Sequence, residues 1–170
     1  MNSLMNDASP KKSRHPGTDR EYDNVNCIEP GKCPMSSNCP TIIMKGGEPV
    51  LLVGAAGGPR IIIGTIQCIV NAIEFGMPID AALRAPAIGV FSKAGGIEME
   101  PGISADTTAL LKTKGHEVAV GDAQSVLGYV VNAISCADGE TYPANCYRID
   151  GCGGAIGEDG SFVFEGVQFT

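Results

Sequence analysis

The sequence predicts a layered α/β or α+β protein, and three observations point there. Short β-type runs pair around Gly-containing turns, helical runs stand between them, and Gly is plentiful while aromatic residues are scarce. With 23 Gly in 170 residues and 5% aromatics, the chain favours loops and small side chains where elements approach closely. Each strand pair or helix has one apolar face that needs a neighbour, which gives layers. The length suits one domain with a sizeable core.

Residues 1 to 32 show no sustained period and read as an extended, mostly irregular lead-in. Pro40 to Met44 is a β-type run, Lys45 to Glu48 a turn, and Pro49 to Val53 a second strand, together a hairpin. Gly54-Ala55-Ala56-Gly57-Gly58 follows, then Pro59-Arg60 and a helical run to about Phe75, closed by Gly76. Pro78 to Ala85 predicts a short helix stopped by Pro86, and Ile97 to Glu100 a strand. Ser104 is the expected N-cap of a helix through Lys114, with Asp106 in its first turn and Gly115 as its stop. His116 to Val120 reads as a strand, and Val126 to Ser135 is apolar and β-branched. Ala137-Asp138-Gly139-Glu140 is a hairpin turn into a strand near Tyr142 to Ile149. Glu158 to Gly160 turns into a last strand over Phe162 to Phe169.

The net charge of -7 argues against a nucleic-acid partner, because no basic stripe balances it. The one basic cluster, Lys11, Lys12, Arg14 and Arg20, sits among Pro10, Pro16, Gly17, Asp19, Glu21 and Asp23 and reads as a solvated loop rather than a phosphate-binding arm. The longest apolar run, near Ile61 to Phe75, is broken by polar residues and is too short for a membrane span. The N-terminus has no basic-then-apolar export pattern. Seven cysteines leave at least one unpaired. Neither the trio Cys27, Cys33, Cys39 nor the trio Cys136, Cys146, Cys152 has zinc-knuckle spacing, so a mixture of buried thiols and one or two disulfides is expected, with no metal. Cys68 lies in the apolar helical run and should be core.

Chemistry concentrates in the strand, Gly54 to Gly58, helix segment. Its glycines let the backbone turn sharply and expose N–H groups beside a helix N-terminus, where donors and dipole favour negative charge. A phosphate cradle, an oxyanion hole for acyl transfer, and a tight turn with no ligand all fit that pattern. It is neither a P-loop nor a dinucleotide fingerprint. Between Pro34 and Pro40, Ser36 and Ser37 could donate hydroxyls to a carboxylate or simply form a loop. Asn6-Asp7 is unremarkable alone.

Taken in order, Pro34 to Ile42, Pro49 to Ile61, Gln67 to Asn71, and Phe75 to Met77 resemble the γ-glutamyltransferase (glutathione hydrolase) family. That family carries Pro-Leu-Ser-Ser-Met-x-Pro-Thr-Ile and Gly-x-x-Gly-Gly-x-Arg-Ile stretches at this separation. Ala81 to Pro86, Glu100 to Ser104, Lys114 to Val118 and the lead-in Leu4 to Ser9 resemble its flanking elements, so the likeness runs over roughly residues 4 to 135. It implies the αββα sandwich of N-terminal-nucleophile hydrolases, with residues 33–135 as a small-subunit-like core and 136–170 as divergent β hairpins of the same domain. It implies roles as well: Ser36 and Ser37 for the α-carboxylate of a γ-glutamyl group, Asp7 for its α-ammonium, and the Gly57 and Gly58 N–H groups for the tetrahedral oxyanion. The implied partners are γ-glutamyl compounds such as glutathione and a large-subunit chain or a second copy. No cofactor is implied. Family members are mostly periplasmic, secreted or surface enzymes.

The sequence departs from the family where the chemistry starts. The family nucleophile is a threonine freed as an N-terminus by autocleavage, a few tens of residues before the Asp-Asp element. No Thr of this chain holds that position, since Thr18 and Thr41 follow Asp7. The expectation is therefore a chain with binding wall and oxyanion loop but no nucleophile, inactive alone, or a derived binding or structural module. Leu4, Asn6, Cys33, Cys39 and Pro59 also replace usual residues, and the Ala-Ser-Asp-Pro-Arg ending reads as absent. Strand edges and apolar surface should then be left uncovered, which favours association.

Overall fold

The β-branched run before the glycine turn and the alternation after it build one four-stranded antiparallel sheet, on which two helices lie. A computed structural model describes residues 12–14, 21–23, 27–33, 36–90, 96–121, 130–148, 153–156 and 162–165. The chain divides into two compact units, Met1–Ser37 and Asn38–Thr170.

In the first unit two three-residue strands, β1 (Lys12–Arg14) and β2 (Glu21–Asp23), pair antiparallel. Lys12 and Arg14 of the basic cluster thus sit on a strand rather than a loop, with Lys12 exposed. Further on, Glu29-Pro30-Gly31-Lys32 forms a turn closed by the Lys32 N–H on the Glu29 carbonyl at 3.2 Å. Pro at the second position and Gly31 at φ +80° make it type II.

The second unit begins with β3 (Thr41–Lys45) and β4 (Glu48–Ala56), a hairpin whose register shifts between Ile43 and Met44. Helix α1 (Arg60–Ile69) follows, then a π-helical turn over Val70–Glu74, α2 (Ile79–Arg84), and the two-residue β5 (Ile88–Gly89). β6 (Ile97–Met99), α3 (Ala105–Thr113) and β7 (Val118–Val120) form a parallel crossover, with β5 antiparallel on β6. β8 (Val130–Ala137) and β9 (Glu140–Ala144) complete the larger sheet in the order β3-β4-β8-β9. Two more strands, β10 (Gly153–Ile156) and β11 (Phe162–Glu165), pair with each other.

Local chemistry accounts for most of these boundaries. The helical run does not stay α to Phe75: the Phe75 N–H reaches the Val70 carbonyl five residues back, and Gly76 ends the element at φ +62°. In α3 the Ser104 hydroxyl accepts from the Thr107 N–H at 3.1 Å. At its other end His116 N–H bonds Leu111 O and Gly115 N–H bonds Lys112 O, the paired bonds of a Schellman stop, with Gly115 at φ +89°. The β8–β9 turn has both Asp138 (φ +54°) and Gly139 (φ +81°) on the positive side, the type I′ geometry whose twist matches a hairpin.

Period-two alternation divides the larger sheet. Leu51, Val53, Val131, Ala133 and Ala144 face inward and form the core with Cys68, Ile79, Leu83 and Ala87. Ile42, Leu52, Ile134 and Pro143 stand in register on the opposite face. Ile42 is 62% exposed and Ile134 38%, and a groove of about 690 Å³ runs across them toward Ala56. Among the described residues, no helix is long and apolar enough to cross a membrane.

Candidate functional site

The site is built where β4 hands over to α1. β4 is paired with β3 as far as Val53 and with β8 on to the Ala56–Val130 pair, so its end is held by β8. The chain then passes through Gly57 at φ +140° and Gly58 at φ +61° before Pro59 opens the helix. Side chains rarely adopt either conformation, which explains two glycines here. A Cβ at Gly58 would meet nothing within 4 Å, so backbone conformation alone demands glycine at that position.

Their carbonyls are used by the fold: Gly57 O accepts from Arg60 N–H at 3.4 Å and Gly58 O from Ile61 N–H at 3.1 Å. Among the described residues, neither glycine N–H has a backbone acceptor. α1 has no side-chain cap and no acidic residue in its first turn. Two successive amides therefore stand at an uncapped helix start, where the dipole favours an anion. Pro59 subtracts the next N–H but not these two.

Ser36 and Ser37 end the first unit, Ser36 exposed and Ser37 half-buried. Gly57 and Gly58 belong to the second unit. Asp7 lies outside the described residues.

A buried ion pair lies beneath α2, and sequence reasoning missed it. The Glu100 and Arg148 side chains are 2% and 4% exposed and meet fork to fork, Nε to Oε1 and Nη2 to Oε2. Arg148 also donates to the carbonyls of Leu83 at 3.0 Å and Ala85 at 3.2 Å, and to Cys146 Sγ at 3.6 Å. Every guanidinium N–H thus has an acceptor. The Ala87 N–H adds a bond to Glu100 Oε2 at 2.9 Å. The Tyr147 ring lies 4.7 Å from the guanidinium carbon, and burial pushes its hydroxyl pKa up, partly offset by Arg148. The cluster pins residues 83 to 87. From there Gln67 on α1 bonds both the N–H and the carbonyl of Ile88, at 2.9 and 2.7 Å, and Asn71 donates to Ala82 O at 3.2 Å. The helix carrying the glycine turn is so tied to the rest of the second unit. Among the described residues, no group of three His, Cys, Asp or Glu could hold a metal. The six described cysteines are free, against the one or two disulfides expected, and Cys68 is buried as predicted.

Known proteins match this chain over most of its length. The family model described as Gamma-glutamyltranspeptidase matches residues 1–155, past the Ser135 limit that the motifs suggest. The glutathione hydrolase proenzyme of Escherichia coli is 36% identical over 149 residues, 85% of this chain and 24% of that protein. The acylase ACY 1 proenzyme of a Pseudomonas strain is 33% identical over 144 residues, 84% of this chain and 25% of that protein. Among solved structures, a mutant gamma-glutamyltranspeptidase of Helicobacter pylori superposes with a TM-score of 0.70 at 30% identity, covering 86% of this chain and 79% of that one. The Pseudomonas nitroreducens enzyme complexed with L-DON gives 0.72 at 24% identity, covering 92% and 81%, a likeness of fold. The chain spans about a quarter of the length of these curated relatives.

Proposed function

Since this chain belongs to the γ-glutamyltranspeptidase family and has the α+β fold of the N-terminal-nucleophile hydrolases, we propose that it is a small-subunit-like part of a γ-glutamyl transfer or hydrolysis enzyme. In this reading it binds the γ-glutamyl group and supplies the oxyanion loop. Asp7 accepts from the α-ammonium, and the Ser36 and Ser37 hydroxyls donate to the α-carboxylate. Attack on the γ-carbonyl turns its oxygen into an oxyanion, and the Gly57 and Gly58 N–H groups donate to it. Such a donor is typically worth about 3 kcal/mol of the barrier. The nucleophilic threonine comes from outside these 170 residues, so the chain alone does not turn over. The names of the relatives, glutathione hydrolase and acylase, suggest that the bond attacked is an amide.

The observation that supports this most is the pair of glycine amides that have no backbone acceptor among the described residues, at a helix start without a side-chain cap. A second reading keeps the amino-acid site without catalysis, as a binding or structural module. Calorimetry with glutamate and an assay with a chromogenic γ-glutamyl anilide test both. The expected result is glutamate binding, lost in Asp7→Ala and in Ser36→Ala, with no turnover by the pure chain. Turnover would sink the missing-nucleophile reading, and binding indifferent to both substitutions would sink the assigned site.

A further inference from the structure

The first unit brings three reactive side chains together over six residues. The type II turn at Pro30-Gly31 folds Lys32 back on Glu29 and, two residues earlier, on Cys27. Lys32 Nζ donates to Cys27 Sγ at 3.3 Å, and the Cys27 thiol donates to Glu29 Oε1 at 3.3 Å. Lys32 Nζ and Glu29 Oε2 are 3.1 Å apart, which closes a triangle of thiol, amine and carboxylate. Cys27 is 7% exposed, while Lys32 and Glu29 are partly open to solvent. A buried structural thiol beside apolar neighbours is inert. Cys27 instead has the Lys32 ammonium on one side and a proton-accepting carboxylate on the other.

We infer that Cys27 is a peroxide-reactive thiol whose oxidised sulfur is captured by Lys32, forming a covalent Cys–Lys bridge. In the first step the thiol proton passes to the Glu29 carboxylate. The thiolate attacks hydrogen peroxide: an S–O bond forms, the O–O bond breaks, and hydroxide leaves as water after taking a proton. Sulfur is oxidised by two electrons to the sulfenic acid and peroxide is reduced. In the second step the Lys32 amine, its extra proton given up through Glu29, attacks that sulfur. An S–N bond forms, the S–O bond breaks, and the hydroxyl leaves as a second water with no further redox change. The sum is one thiol, one ammonium and one peroxide giving one sulfenamide, two waters and one proton. Hydrogen bonds from Lys32 to Glu29 first and Cys27 second raise the Lys32 pKa. Oxidation of the sulfur removes only the second of these, so the amine attacks after Glu29, the closer partner, has taken its proton. Two equivalents of a thiol reductant reverse the bridge.

The test uses the full chain carrying Cys33→Ser and Cys39→Ser, so that no disulfide with a neighbouring cysteine can mimic the product. The folded protein is treated with hydrogen peroxide and digested with trypsin without reductant. The expected product is the peptide of residues 21–45, uncut after Lys32 and about 2 mass units lighter than its reduced form. Dithiothreitol should restore both mass and cleavage. Adding Lys32→Arg, which keeps a cation beside the thiol, should abolish the lighter species and leave a sulfenic acid that dimedone traps. Three results overturn the inference: a Cys27 that stays a thiol, a lighter species that persists in Lys32→Arg, or a bridge that forms equally well in urea. The last would mean that sequence proximity and not the folded triangle drives it.

Discussion

Replacing Arg148 by Met tests whether the Glu100 pair holds the second unit together. The substitution keeps most of the side-chain volume but removes all the donors. Glu100, 2% exposed, is left without a cation, keeping only neutral donors, the Ala87 N–H and the Tyr147 hydroxyl, and the Leu83 and Ala85 carbonyls lose the bonds they accept from Arg148. Leaving a buried charge unpaired costs about 3–5 kcal/mol, whereas breaking an exposed pair costs about 1 kcal/mol or less. For a chain of this size, about 3–5 kcal/mol lowers Tm by about 6–20 °C. Arg148→Lys should lose roughly half as much, because three donors on a point charge cannot reach both carboxylate oxygens and two carbonyls. Adding Glu100→Leu to Arg148→Met removes the stranded carboxylate, so the double variant should be more stable than Arg148→Met alone. Urea unfolding followed by circular dichroism reads all three. A loss below about 1 kcal/mol for Arg148→Met, or a double variant weaker than the single, would refute the account of a dry, fully bonded pair.

Three further outcomes follow from the same structure. Gly58→Ala should cost about 1 kcal/mol from its φ of +61° alone, and Gly102→Ala more, since its Cβ would come within 2.8 Å of the Pro86 ring; the reverse order in denaturant midpoints would contradict the turn geometry. Burial pushes the Cys68 thiol up to about 11 from 9.0, so below pH 9 it is protonated in both folded and unfolded chains. Between pH 9 and about 11 only the unfolded chain ionises, and stability should fall across that window by an amount that Cys68→Ala removes from the unfolding curves. Ile42 and Ile134 leave an apolar sheet face open, so the pure chain should self-associate with concentration in sedimentation, and an Ile42→Glu, Ile134→Lys chain should not; a monodisperse parent would count against an uncovered face.

What was legible in the sequence is what neighbours along the chain decide. Ser104 and Gly115 bracket α3 because a cap and a left-handed stop act within one turn, and Asp138-Gly139 closes a hairpin for the same reason. The glycine turn was legible because its unusual backbone angles need glycine. The π-turn was not, since Val70 to Glu74 differs from α only in which carbonyl each N–H reaches. Nor was the Glu100–Arg148 pair, whose partners are 48 residues apart. Arg148 lies beyond Ser135, where the resemblance fades, yet it is the charged residue that enters the core. Of the assigned site, the glycines were legible as a backbone feature, while Ser36, Ser37 and Asp7 rested on resemblance, because an isolated hydroxyl or carboxylate in a loop has no local signature.

The two bonds between Gln67 and Ile88 have one more effect. β5 is the outermost strand of its small sheet, and Ile88 presents there one donor and one acceptor that a foreign strand could use. The Gln67 amide offers the complementary pair and occupies both, acting as a one-residue stand-in for a missing strand. A glutamate produced there by deamidation has no N–H to give. The Ile88 carbonyl alone would then lose its donor, since a carboxylate still accepts from the Ile88 N–H.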